Sequence, residues 1–142
     1  YARGCLIGLT RGTSREHIIR AAQESIAYQV NDLLDAMSRD TGVPLSSLSV
    51  DGGASRDSFL MQFQADISNC IIRRPVIRET TALGACYLAG LATGVWKDRT
   101  ELKQLWRCDT LYHPDMDEQT RHRLLAGWGR AVSRSLGWSK PE

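Results

Sequence analysis

Segments with strand patterning alternate with segments of helical periodicity along this chain, which predicts an α/β fold with an at least partly parallel sheet. Three observations carry the prediction. A capping pattern near the start opens a long amphipathic helix. Two glycines stop a short alternating run at residues 48–51 and lead at once into a second helix. A further apolar run at residues 70–73 is closed by Pro75 and followed by a helix rich in small residues.

In chain order, Gly4-Cys5-Leu6-Ile7-Gly8-Leu9 reads as a first strand. Thr13-Ser14-Arg15-Glu16 then has the spacing of a capping box, in which the Thr13 hydroxyl and the Glu16 carboxylate satisfy free backbone N–H groups. Ile18, Ala22, Ile26, Val30, Leu33 and Met37 recur on one helical face, and Gly42 supplies the left-handed turn that ends it. The run at 48–51 is a short strand stopped by Gly52-Gly53. Ser55 is the expected N-cap of the next helix, which carries Phe59, Leu60, Phe63 and Ile67 on one side. A strand over 70–73 follows, and Thr80 or Thr81 caps a helix whose Ala82, Ala85 and Ala89 would allow close packing against a sheet. Residues 97–106 read as a short polar helix and Tyr112-His113-Pro114 as a connection. A final amphipathic helix carries Met116, Leu124, Leu125, Trp128, Val132 and Leu136 up to Gly137. These elements divide the chain into an α/β core over 1–96 and a helical extension over 97–138.

The composition is that of a soluble globular domain: 142 residues, 42% hydrophobic and 24% charged, with a mean hydropathy of −0.30. A chain of this size can form one core without covalent staples. The net charge of +2 comes from scattered residues. The pair Arg73-Arg74 is too short for the basic footprint of nucleic-acid binding. No apolar run approaches the roughly 18 residues of a membrane span. Cys5, Cys70, Cys86 and Cys108 show no metal-ligand spacing, and His17, His113 and His122 add no cluster, so no metal site is expected. Cys70 and Cys86 sit in apolar runs and read as buried thiols, in keeping with a reducing cytoplasm. A strand pattern almost at Tyr1, with no initiator Met, suggests a piece of a longer chain.

The segment that carries chemistry is Val50-Asp51-Gly52-Gly53-Ala54-Ser55-Arg56-Asp57. Without side chains at 52 and 53 a ligand can approach the backbone, and the N–H groups of a helix start suit an anion or the edge of a nucleotide. Open α/β sheets also bind ligands at the carboxyl ends of their strands. A plain tight turn explains the same residues, since neither a Walker A loop nor a GxGxxG fingerprint is present. Asp51 could hold a metal or cap a backbone group, and Asp57 is of the type favoured by the dipole at a helix start. Arg11 and Arg15 could bind phosphate near the start of the first helix, though solvated charges are the commoner explanation, and His17 reads as a packing or surface residue ahead of a catalytic base.

Several runs in order resemble the carboxy-terminal signature of the FGGY carbohydrate kinases. They are Arg3-Gly4-Cys5-Leu6-Ile7-Gly8-Leu9-Thr10-Arg11-Gly12, then His17-Ile18-Ile19-Arg20-Ala21 and Glu24-Ser25-Ile26-Ala27-Tyr28-Gln29. Val50-Asp51-Gly52-Gly53-Ala54, Glu79-Thr80-Thr81-Ala82-Leu83-Gly84-Ala85, Leu88-Ala89-Gly90-Leu91-Ala92 and Gly127-Trp128 continue the likeness. Residues 59–67 resemble the branch that phosphorylates glycerol, and the likeness covers essentially the whole chain.

The resemblance implies the carboxy-terminal half of an actin-like, ribonuclease-H-like ATPase fold, with the amino-terminal domain absent from this chain. It implies transfer of phosphate from ATP, with Mg²⁺, to glycerol, giving glycerol 3-phosphate. The general base would lie in the amino-terminal domain, so no catalytic residue is expected here and the chain alone is expected to be inactive. The implied nucleotide contacts are Gly53, with Gly52 and Ala54 beside it, and Asp57. Asp57 departs from the family, which has Asn there; Gln23 departs as well, at a position usually apolar. The resemblance further implies a cytoplasmic homo-oligomer. Another FGGY sugar kinase, acting on a pentulose or pentitol, and a non-catalytic interaction module of the same fold stay open at this point.

Overall fold

The computed structural model describes residues 1–139. The first helix, α1 (Arg15–Thr41), ends at Gly42 in the left-handed conformation, as its sequence predicts. Its start differs by one residue. Thr13 is drawn into a preceding turn, its Oγ1 accepting the Thr10 N–H at 2.9 Å while its own N–H donates to the Thr10 carbonyl at 3.0 Å. Ser14 is therefore the N-cap. His17 takes the reciprocal role expected of Glu16, its Nδ1 accepting the Ser14 N–H at 3.1 Å. The strand expected over residues 4–9 does not form: the segment is irregular and exposed, and Gly8 turns it with φ +87°. A strand exists only through its ladder, and no neighbour pairs with this segment among the described residues.

Three strands build the sheet. β1 (Ser47–Ser49) leads through a single 3-10 turn (Gly53–Arg56) and α2 (Ser58–Ser68) into β2 (Ile71–Pro75). β1 and β2 are parallel, with Leu48 opposite Ile72, so residues 47–75 form a βαβ unit. The chain then runs through α3 (Thr80–Thr93) and α4 (Arg99–Leu105) to β3 (Cys108–Tyr112). β3 lies antiparallel to β2 with Ile72 opposite Tyr112, and the register shifts at Arg74/Pro75. Pro75 tolerates its place in the central strand because it sits at that irregularity. β3 belongs to a segment expected to be helical. The last helix, α5 (Glu118–Ser135), closes the described chain.

α2 is the hub of the packing. Its Leu60, Met61, Phe63, Ala65 and Ile67 are buried together with Ala27 and Tyr28 of α1, Cys70, Ile72 of β2 and Tyr112 of β3. Tyr28 meets Phe63 edge-on at 5.5 Å and stacks on Trp128 of α5 at 5.2 Å. The Trp128 Nε1 donates to Asp32 at 2.7 Å. Burial, with help from Glu24, pushes the Tyr28 phenol up to about 12, so the ring stays neutral. Gln64 is buried but satisfied, its Nε2 donating to the Ala27 carbonyl at 3.3 Å and to Ser68 Oγ at 2.6 Å.

α3 departs from expectation. Ala82, Ala85, Ala89 and Cys86 are exposed, and the small-residue face packs on no sheet; Gly90 alone is buried. Trp96 folds back over Gly90 and meets Tyr87 edge-on at 5.3 Å, so the helix closes on its own following residues. Cys70 is buried as expected.

The caps of α4 and α5 make a pH prediction. Asp98 accepts from Glu101 N at 3.0 Å and Thr100 N at 2.8 Å, and Asp117 accepts from Thr120 N at 2.8 Å. Those backbone bonds hold both carboxyls below the ordinary aspartate range. A lowered folded-state pKa means that the unfolded chain binds protons first, so the caps stabilise fully above about pH 4 and lose that effect as pH falls through the folded value. The Thr120 amide resonance is expected to titrate with a midpoint below about 3.9, and Asp117→Asn should abolish that titration.

Candidate nucleotide site

The turn after β1 is built almost entirely from backbone. Val50 N–H still donates to the Arg73 carbonyl at 3.1 Å, which carries the β1–β2 pairing one residue past the strand. Gly52 then adopts φ +74°, ψ −173°, a region open in practice to glycine alone. Its N–H donates to the Arg78 carbonyl at 2.9 Å. Its carbonyl accepts the Ser55 N–H at 3.3 Å and the Ser55 hydroxyl at 2.7 Å. Ser55, expected to cap α2, is instead buried inside this turn. The 3-10 turn intervenes and moves the cap two residues on.

Asp57 is that cap. Its Oδ1 accepts from Phe59 N at 2.9 Å and Leu60 N at 3.2 Å, the geometry that satisfies a helix start. Its Oδ2 accepts from Gln23 Nε2 of α1 at 2.5 Å. Gln23 and Asp57, each singled out separately in the sequence, are thus partners.

Gly53 is informative in a different way. Its φ is not positive, and a Cβ built there would meet nothing within 4 Å. Neither conformation nor packing within the described chain demands glycine at 53. The same openness holds at Gly52, and Ala54 beside them is exposed. The resulting surface is a smooth stretch of backbone at the carboxyl end of a strand, where a planar or anionic group can come close.

Arg74, on β2, braces the turn from behind. Its side chain is only 11% exposed and pairs with Asp109 at 3.1 Å. It also donates to Thr110 Oγ1 at 2.8 Å and to the Ser55 carbonyl at 3.4 Å. Arg78 reaches Asp109 at 3.4 Å as well. The Thr110 hydroxyl first, then the two guanidinium groups, hold the Asp109 carboxyl below its usual range. Sequence reasoning missed Arg74 and Asp109 as parts of this frame; the Arg73-Arg74 doublet was the visible signal. Asp51 is exposed, and no group of three or more His, Cys, Asp or Glu gathers among the described residues. No described helix is long and apolar enough to cross a membrane.

Residues 1–93 match the FGGY family of carbohydrate kinases, C-terminal domain. The chain belongs to this family. It is 59% identical over 139 residues to the glycerol kinase of Brachyspira hyodysenteriae. It is 56% identical over 140 residues to glycerol kinase 2 of Thermotoga maritima. These alignments take in 98% and 99% of this chain, which spans 28% of the length of each relative. Among solved structures, Plasmodium falciparum glycerol kinase with ADP superposes with a TM-score of 0.84 at 39% identity, covering 95% of this chain and 27% of that one. Xylulose kinase from Lactobacillus acidophilus superposes with a TM-score of 0.77 at 28% identity, covering 97% of this chain and 28% of that one. The FGGY fold expected from the sequence is therefore the fold of this chain.

Proposed function

We propose that this chain is the carboxy-terminal, nucleotide-facing part of a glycerol kinase, the whole protein transferring phosphate from ATP to glycerol to give glycerol 3-phosphate. The observation that carries the nucleotide assignment is the open backbone at Gly52 and Gly53, for which packing inside the chain supplies no reason at position 53. Likeness to relatives named glycerol kinase at 55–59% identity supports the reaction. The xylulose kinase, at 28%, stands well below them. In this reading Gly53, Gly52, Ala54 and Asp57 contact the nucleotide, and the acceptor pocket and general base belong to other parts of the protein. Alone, the chain binds nucleotide without turning it over.

Mg²⁺ belongs to the reaction as the counter-ion of the transferred phosphates. In this reading the ion arrives on the nucleotide. The four free thiols support a cytoplasmic setting, and association of the whole protein into a homo-oligomer is part of the same reading.

Titration of the chain with ADP, followed by amide NMR, tests the site. Shifts concentrated at residues 52–57 are expected. Shifts spread elsewhere, or none at millimolar ADP, would favour the non-catalytic module.

A further inference from the structure

Asp57 uses one carboxylate oxygen for the helix and the other for Gln23. A helix cap needs only the first: Oδ1 alone takes both free N–H groups of α2, at 2.9 and 3.2 Å. Oδ2 is left over, on a half-buried residue beside the open turn. Gln23, thirty-four positions earlier in the chain, donates to it at 2.5 Å. A carboxylate can only accept, so the amide must present its NH₂ and the orientation of Gln23 is fixed by chemistry.

Packing does not require this bond. α1 and α2 are already joined by the Gln64 bond to the Ala27 carbonyl and by the Tyr28–Phe63 contact. Charge gives it a different purpose. Among the described residues no Lys or Arg pairs with Asp57; Arg56, its neighbour, pairs with Glu79 at 3.5 Å. A free carboxylate oxygen beside an anionic ligand would repel it. An oxygen held by a neutral donor has a fixed direction and a partly spent lone-pair capacity.

We infer that Gln23 is a positioning residue for the nucleotide site: it holds Oδ2 of Asp57 so that a nucleoside di- or triphosphate can be bound beside a carboxylate. The inference rests on the nucleotide reading of the turn. Asn at 57 would keep the Oδ1 cap without a charge and would need no donor at 23, whereas Asp with its second oxygen uses one.

The test is a double-substitution cycle in the full-length protein, with ADP affinity read by calorimetry and the melting temperature read without nucleotide. Gln23→Leu is expected to weaken ADP binding by about threefold to tenfold while the nucleotide-free melting temperature barely moves. Gln23→Glu, which sets two carboxylates face to face, should weaken ADP binding more. Gln23→Leu combined with Asp57→Asn should return to within about twofold of the parent. Unchanged ADP affinity in Gln23→Leu, or strictly additive losses in the double variant, would overturn the inference. Gly53→Ala separates the two levels. If it weakens ADP binding and Gln23→Leu does not, only the positioning role fails; if neither changes affinity, the nucleotide site itself is misplaced.

Discussion

Ile67→Ala is expected to lower the unfolding free energy by roughly 2–5 kcal/mol, the range for emptying a buried aliphatic site. Ile67 is fully buried on α2, in the cluster that joins α1, the sheet and α5. Other members of that cluster are themselves pinned: Ile72 sits in the central strand, and Tyr28 packs against Phe63 and Trp128. Such a site cannot collapse around the gap, which places the cost in the upper part of that range. Urea unfolding followed by circular dichroism measures it. Ile67→Val, which keeps most of the volume, should lose about 0.5–1.5 kcal/mol. Equal losses in the two variants would show that the α2 cluster does not carry the stability assigned to it.

Gly52→Ala is expected to destabilise the chain by about 1–3 kcal/mol and to weaken nucleotide binding with it. A Cβ at 52 would meet no atom within 4 Å, so the cost is torsional, not steric. Relieving φ +74° would rotate the peptide that donates to the Arg78 carbonyl and the one that accepts twice from Ser55. Gly53→Ala should behave differently, with the melting temperature nearly unchanged and ADP affinity reduced. Thermal unfolding and calorimetry on the same pair of variants check both statements. A Gly52→Ala protein as stable as the parent would mean that the turn has a second conformation of similar energy.

Helices were the legible part of this fold. The capping pattern and the stop at Gly42 located α1 nearly to the residue, because helix ends are specified by local chemistry. Yet the face read as apolar is not the one that packs: Ile18, Ala22, Ile26, Leu33 and Met37 are exposed, and Ala27, Tyr28, Asn31 and Leu34 are buried. Strands were less so. The apolar run at 4–9 stayed irregular, while Cys108-Asp109-Thr110-Leu111-Tyr112, placed in a helical extension with Tyr112 read as part of a connection, became β3 by pairing with β2. Both outcomes depend on a neighbour supplied by the fold, which no window of sequence contains. The small residues of α3 pointed to close packing, yet this chain leaves them exposed.

At the site, the strand–Gly-Gly–helix order was visible, and Gln23 and Asp57 were each singled out. Their pairing was not, because it joins α1 to the start of α2 across the fold. Arg74 was hidden for the same reason: it was weighed only as half of a basic doublet too short for a nucleic-acid footprint, and only the sheet brings it to the Ser55 carbonyl. The N-cap moved from Ser55 to Asp57 because both are good capping residues, and the 3-10 turn decides between them.

The conformation of Gly52 also bears on handedness. Reflected, φ +74° and ψ −173° become −74° and +173°, close to the extended basin that ordinary residues occupy without cost. Position 52 is thus a right-handed amino acid's site filled by the one residue that has no hand. A semisynthetic protein carrying D-alanine there would meet no torsional penalty where L-alanine does, and with fewer unfolded conformations than glycine it would hold the turn more firmly.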